Sequence, residues 1–109
     1  MKKILFICSK HELRSPTAEK VFKNSENLEV RSAGLDVNAN VRVNDEDVEW
    51  ADYIFVMEKQ HEYKLKNRFS GKLGGKKIYN LDIEDKYPFM DTELISILKR
   101  KVSRFLMTE

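Results

Sequence analysis

The sequence predicts an α/β protein: three layers, with helices on both faces of a four-stranded parallel sheet. Three observations carry that expectation. Ile4-Leu5-Phe6-Ile7 and Tyr53-Ile54-Phe55-Val56-Met57 are unbroken apolar runs, the pattern of strands covered on both faces. Strand-like and helix-like segments alternate from end to end, and crossovers of that length favour parallel pairing. The length, 109 residues, suits one domain with one core and is too short for two. Residues 1–109 are therefore expected to form a single domain.

Taken in order, Ile4 to Ile7 is the first and central strand. After a short polar loop, Ser15-Pro16 fits the N-cap and first position of a helix. That helix continues from Thr17 to about Lys23, with Ala18, Val21 and Phe22 on one face, and Asn24-Ser25-Glu26-Asn27 breaks it. Leu28 to Ser32 alternates only in part, as a strand near a sheet edge does, and Ala33-Gly34 ends it. Leu35 to Val43 is polar and aperiodic, a loop. Asn44-Asp45-Glu46-Asp47 supplies a cap and acidic residues for a first helical turn, with Val48, Trp50 and Ala51 as the apolar side.

Tyr53 to Met57 is the second buried strand. Lys59 to Phe69 reads as an exposed helix whose apolar positions are Tyr63, Leu65 and Phe69; Gly71 and Gly74-Gly75 close it. Lys77 to Leu81 is the fourth strand, and Asp82 to Asp91 a loop rich in acids and aromatics. Thr92 to Met107 is the clearest helix, with Leu94, Ile95, Leu98, Val102, Phe105 and Leu106 in one stripe and Asp91 placed to cap it.

Composition narrows the function classes. Hydrophobic residues make up 41% and charged residues 35%, as in a soluble globular domain. A net charge of +2 is too balanced to imply a nucleic-acid partner, and Lys99-Arg100-Lys101 reads as a solvated helix face. No apolar stretch approaches a membrane span. The apolar run after Lys2-Lys3 is too short for a signal sequence. One cysteine allows neither an internal disulfide nor a cysteine-based metal cluster, so a cytoplasmic location with a reduced thiol is expected. No metal or cofactor is implied.

The chemistry concentrates in Cys8-Ser9-Lys10-His11-Glu12-Leu13-Arg14-Ser15-Pro16. A nucleophile closes the first strand, and a polar loop, a fixed cation and a helix start follow. In parallel sheets ligands sit at the carboxyl ends of the strands, where this loop lies. The helix start, inward backbone N–H groups of residues 9 to 14 and Arg14 all favour an anion there: the thiolate alone, or a tetrahedral oxyanion that Arg14 grips bidentately. Ser15 is placed to donate to the sulfur. The candidate phosphate-binding residues are Ser9, Lys10, His11, Glu12, Leu13, Arg14 and Ser15, with Glu12 expected to point outward.

Cys8, Arg14 and Ser15 match the C-x5-R-S signature of low-molecular-weight protein tyrosine phosphatases, and the chain resembles a small bacterial branch of that family. Arg31-Ser32-Ala33-Gly34 is similar to its Ser-Ala-Gly turn, Ala51 to Met57 to its Ala-Asp-(apolar)-Met strand with His61 following, and Leu81 to Tyr87 to its acid-bearing loop. The resemblance implies a phosphotyrosine protein phosphatase I-like fold and a two-step hydrolysis without a metal. Cys8 would attack phosphorus, Arg14 and the loop amides would hold the oxygens, and Asp85 would serve as general acid and base. Asp82 and Asp91 are rival acids. Tyr87 and Phe89 are candidate walls for a phenyl ring. His11 stands where the family commonly has asparagine in a left-handed conformation, which histidine also adopts. The implied partner is a phosphorylated protein or small phosphomonoester, and a monomer is expected.

Other readings stay open on the residues alone. A lone cysteine after a strand is usually a small buried hydrophobe. A non-catalytic phosphate- or phosphotyrosine-binding module fits the altered loop. An arsenate reductase shares the loop, but thioredoxin-coupled forms need further cysteines. A cysteine-phosphorylated sugar-transport component lacks the arginine. His11 and His61 read as structural or solvated, and Asp82 and Asp91 as a turn residue and a helix cap.

Overall fold

A computed structural model describes residues 1–107. The chain runs β1 (Lys2–Cys8), α1 (Arg14–Phe22), β2 (Leu28–Gly34), α2 (Asp45–Trp50), β3 (Tyr53–Val56), α3 (Lys59–Arg68), β4 (Lys77–Asn80) and α4 (Thr92–Met107). All four strands are parallel, in the order β2-β1-β3-β4. β1 and β3, the two unbroken apolar runs, take the centre, and the partly alternating β2 takes an edge. Chain order reverses on either side of β1, so the loop after Cys8 leaves the sheet at its switch point.

Period-two alternation in β1 sends successive side chains to opposite faces. Ile4, Phe6 and Cys8 pack with Ala18 and Phe22 of α1 and Leu94, Leu98 and Val102 of α4. Leu5 and Ile7 pack with Val48 of α2 and with Leu65 and Phe69 from α3 and its C-cap. The expected three layers are present, and Cys8 points to the α1 side. Asn44 caps α2 through a reciprocal capping box with Asp47, and Asp91 Oδ2 accepts the Leu94 N–H at 3.0 Å at the start of α4. No helix among the described residues is long and apolar enough to cross a membrane.

Several local expectations change. Helix α1 begins at Arg14 with Leu13 as N-cap and no side-chain cap, so Ser15 lies inside the first turn. Pro16 is tolerated there because a first-turn N–H has no helical partner to lose. Tyr63 is 69% exposed, whereas His61, in a helix read as polar, is fully buried. Lys101 is not simply solvated: its ammonium donates to the carbonyls of Leu81 (2.7 Å) and Asp82 (3.2 Å). Trp50 packs under the Arg31 guanidinium, 4.2 Å from the ring centre.

Candidate active site

The loop between β1 and α1 closes around a cavity of about 290 Å³ lined by Cys8, Ser9, Lys10, Glu12, Leu13, Arg14, Asp36 and Asp85. Its shape follows from where the backbone carbonyls go. Cys8, Ser9 and Lys10 carbonyls accept the N–H groups of Leu35, Asp36 and Asn40 at 2.9, 2.8 and 3.2 Å, and the His11 carbonyl accepts from Asn40 Nδ2 at 3.3 Å. A trans peptide places the next N–H opposite its carbonyl. The amides of Ser9, Lys10, His11 and Glu12 are thereby turned away from the 34–40 segment, to the side where the cavity opens. The result is an anion nest at the start of a nine-residue helix.

That packing depends on Gly34. A Cβ there would lie 2.5 Å from the Ser9 carbonyl oxygen, 2.7 Å from Ala39 Cβ and 3.0 Å from the His11 nitrogen. Two of the three are backbone atoms of the loop itself, so the loop has to move. Gly34→Ala is expected to lower stability by about 1–3 kcal/mol and kcat/KM for p-nitrophenyl phosphate by more than about 10-fold. Urea denaturation beside steady-state kinetics checks both, and wild-type values for each would contradict this role.

Cys8 is 3% exposed, and its sulfur lies 2.9 Å from Ser15 Oγ. Ser15 is itself fully buried and lies outside the cavity lining, so it reaches the sulfur rather than a ligand. Toward a thiolate the hydroxyl can act only as donor. Arg14, 3% exposed, is held from behind: Nη1 donates to Glu58 Oε2 at 2.5 Å and to the Ile83 carbonyl at 2.7 Å. Both Nη1 protons are thereby used. The Nε–Nη2 edge, the geometry that grips two oxygens of one anion, is left for the cavity. The bond from Arg14 holds Glu58 below the usual carboxylate range.

Of the three aspartates weighed as the acid, only Asp85 lines the cavity, with Oδ1 3.7 Å from Arg14 Nε and a side chain 62% exposed. Asp82 sits at φ 54° in a turn where its N–H donates to Asn80 Oδ1, and Asp91 caps α4. The loop carrying Asp85 is tied down on both sides. Arg14 and Lys101 hold its first carbonyls, and the Met90 N–H donates to Thr17 Oγ1 at 2.9 Å. Tyr87 and Phe89 do not line the cavity. Tyr87 packs against the α1–α4 core, and the Phe89 ring lies beside Lys20 of α1.

His11 adopts the expected left-handed conformation, φ 59°. Its ring faces away from the cavity: Nε2 lies 2.7 Å from Ser32 Oγ, and that hydroxyl donates to Glu19. Ser32 therefore accepts, and the His11 proton resides on Nε2. Burial lowers the His11 pKa, against the opposing pull of Glu19. Glu12, expected to point outward, is exposed and is also among the residues that line the cavity. Asp36 and Glu58 join the site although neither was read from sequence as a site residue, and His61, read as structural or solvated, is fully buried with Nε2 2.9 Å from Ser9 Oγ.

His61 is pushed down to about 4 from its ordinary 6.5, first by burial and then by the nearby Arg14. Because the folded value lies below the unfolded one, the unfolded chain binds more protons between those limits, and stability falls as pH drops through that window. His11 acts in the same direction. The His61 contribution is at most about 3 kcal/mol. The urea midpoint is expected to fall between about pH 7 and about pH 5, and to fall less in His61→Gln. Equal falls in the two proteins would contradict a neutral buried His61.

Comparison with known proteins gives the family and the fold. The family model "Low molecular weight phosphotyrosine protein phosphatase" matches residues 3–83, ending just before Asp85. Similar solved structures include the YwlE arginine phosphatase from Geobacillus stearothermophilus, 22% identical, with TM-score 0.78 over 99% of this chain and 94% of that one. The tyrosine phosphatase Wzb from Escherichia coli K30, in complex with phosphate, is 17% identical, with TM-score 0.78 over 98% and 97%. Vibrio vulnificus Wzb, in complex with benzylphosphonate, is 20% identical, with TM-score 0.79 over 99% of each. No curated protein matches at the level of sequence. A match over most of the chain, from β1 through the C-x5-R loop to the strand of the 51–57 segment, places it: this chain belongs to the low molecular weight phosphotyrosine protein phosphatase family.

Proposed function

We propose that this protein is a tyrosine phosphatase that hydrolyses phosphomonoesters through a phosphocysteine on Cys8. The observation that supports this reading is the meeting of Cys8, the Nε–Nη2 edge of Arg14 and Asp85 in one cavity. Cys8 thiolate attacks phosphorus while Arg14 and the loop amides hold the non-bridging oxygens. The phosphorus–oxygen bond to the leaving group breaks as Asp85 delivers a proton, which a phenolate with a pKa near 10 requires. Asp85, now a carboxylate, takes a proton from water, whose oxygen displaces the cysteine sulfur and releases phosphate. The positive charge comes from protein groups, so activity is expected to survive a chelator, and a reducing compartment suits the thiol. Asp85→Asn is expected to reduce kcat for an aryl phosphate by about 10²–10⁴-fold, with Asp82→Asn and Asp91→Asn near wild type. A full-rate Asp85→Asn enzyme would remove Asp85 from this role.

A second reading concerns the leaving group. Among the described residues no aromatic side chain lines the cavity, and the acidic residues Glu12 and Asp36 line it beside Asp85, with Asp36 Oδ1 accepting the Asn38 N–H. A departing guanidino nitrogen becomes cationic when protonated, and nearby carboxylates stabilise that charge as it forms. Similar structures include enzymes described as arginine phosphatases. Comparing kcat/KM for a phosphoarginine and a phosphotyrosine peptide of the same sequence decides between the two: preference for phosphoarginine supports the second reading, preference for phosphotyrosine the first.

A further inference from the structure

Behind the cavity lies a hydrogen-bond chain that the mechanism above does not use. His61 is the third residue of α3 and reaches back to its N-cap, where the Glu58 backbone N–H donates to Nδ1 at 3.0 Å. A backbone N–H can only donate, so Nδ1 is bare. The imidazole is fully buried and neutral, so its single proton resides on Nε2. That nitrogen lies 2.9 Å from Ser9 Oγ, and Ser9 lines the cavity with Cys8 and Arg14. Ser9 Oγ is therefore the acceptor in this pair. Its own proton is not consumed by His61, and among the described residues the hydroxyl has no other hydrogen-bond partner.

We propose that Ser9 is a side-chain phosphate donor in this site, and that His61 is the positioning residue that turns its hydroxyl proton toward the bound oxyanion. This rests on the phosphatase reading and adds to it a donor beyond the loop amides and Arg14. The chain runs in one direction, from the Glu58 amide to His61, from His61 to Ser9, and from Ser9 to a non-bridging phosphoryl oxygen. Each bond polarises the next, so the hydroxyl at the end is a stronger donor than an isolated serine. A protonated His61 breaks the chain at its start, because two N–H groups would then face each other at Nδ1.

The test compares wild type, Ser9→Ala, Ser9→Thr and Ser9→Val, the last two being close in shape but differing in the hydroxyl. Two quantities are read: kcat/KM for p-nitrophenyl phosphate and the dissociation constant of inorganic phosphate. Ser9→Ala and Ser9→Val are expected to lose about 10–100-fold in kcat/KM and to bind phosphate more weakly, with Ser9→Thr retaining most of both. Urea midpoints identify any variant that fails to fold, and the threonine–valine pair then carries the comparison. A double-mutant cycle tests His61: His61→Gln is expected to lower kcat/KM in the wild-type background and to add little in Ser9→Ala. Equal phosphate affinity in Ser9→Thr and Ser9→Val overturns the Ser9 assignment, and additive effects in the cycle overturn the role of His61. If the wild type binds phosphate without hydrolysing the ester, the phosphatase reading fails, and the phosphate affinities alone still decide for or against Ser9.

Discussion

Cys8→Ser is expected to lose at least about 10⁴-fold in kcat for p-nitrophenyl phosphate while keeping its fold. The substitution changes one atom. Serine fits the site at the end of β1, where the side chain is 3% exposed, and its hydroxyl still meets Ser15 Oγ. What is lost is nucleophilicity: a hydroxyl needs a base to remove its proton, and no histidine lies beside residue 8. His11 is bonded to Ser32 and His61 to Ser9. Steady-state assays with a urea midpoint as control check this. Turnover within about 10-fold of wild type would mean that the sulfur is not the attacking atom.

Arg14→Lys is expected to cost about 10²–10³-fold in kcat/KM, although the charge is conserved. The guanidinium performs two tasks with different edges. Nη1 fastens Glu58 and the Ile83 carbonyl, and so holds the loop bearing Asp85; the Nε–Nη2 edge is left to bind two oxygens. A lysine ammonium is a single point and cannot hold Glu58 and span an oxyanion together. The same variant is expected to lose about 1–3 kcal/mol of stability, because Glu58 and the Ile83 carbonyl lose charged donors in a partly buried setting. Kinetics and denaturation measured on one preparation check both losses. Wild-type phosphate affinity in Arg14→Lys would contradict the division of the two edges.

How much of this was legible in the sequence depends on how far each feature is decided locally. β1 and β3 carry unbroken apolar runs, and the α4 stripe repeats at helical spacing, so periodicity alone reveals them. Asn44 and Asp47 form a capping box that is written in three residues of spacing. The start of α1 is different. Ser15-Pro16 has the composition of a cap, but the Ser15 hydroxyl meets the Cys8 sulfur, and a tertiary contact overrides the local preference. His61 lies in a mostly polar helix, where Leu65, four residues on, is the one buried apolar position on its face and is too little to announce a buried histidine. A second local signal is its position three residues after Glu58, the spacing at which an N3 side chain reaches the N-cap N–H. Lys101 lay in a basic run that looked solvated, because its carbonyl partners come from a loop twenty residues away.

The site divides along the same line. Cys8, Arg14 and the intervening loop are contiguous, so their spacing implies a shared cavity. Asp85 and the aromatics near it belong to an irregular segment, where backbone direction decides which side chain meets the cavity. Residues 81 to 83 and Met90 are fastened to Lys101, Arg14 and Thr17, and that anchoring brings Asp85 to the rim while Phe89 turns to α1. No pattern within residues 82 to 91 encodes that choice. Asp36 enters because its N–H is bonded to the Ser9 carbonyl, a pairing set by the register of β1 with β2.

The most direct test is to trap the covalent intermediate. The enzyme is mixed with p-nitrophenyl phosphate, quenched in acid during turnover, and mapped by peptide mass spectrometry. The expected result is one phosphoryl group on Cys8, absent from Cys8→Ala and from enzyme incubated with vanadate before mixing. Phosphate release with Cys8 unmodified throughout, or a phosphoryl group on any other residue of an actively turning-over enzyme, would contradict attack by the thiolate within this cavity.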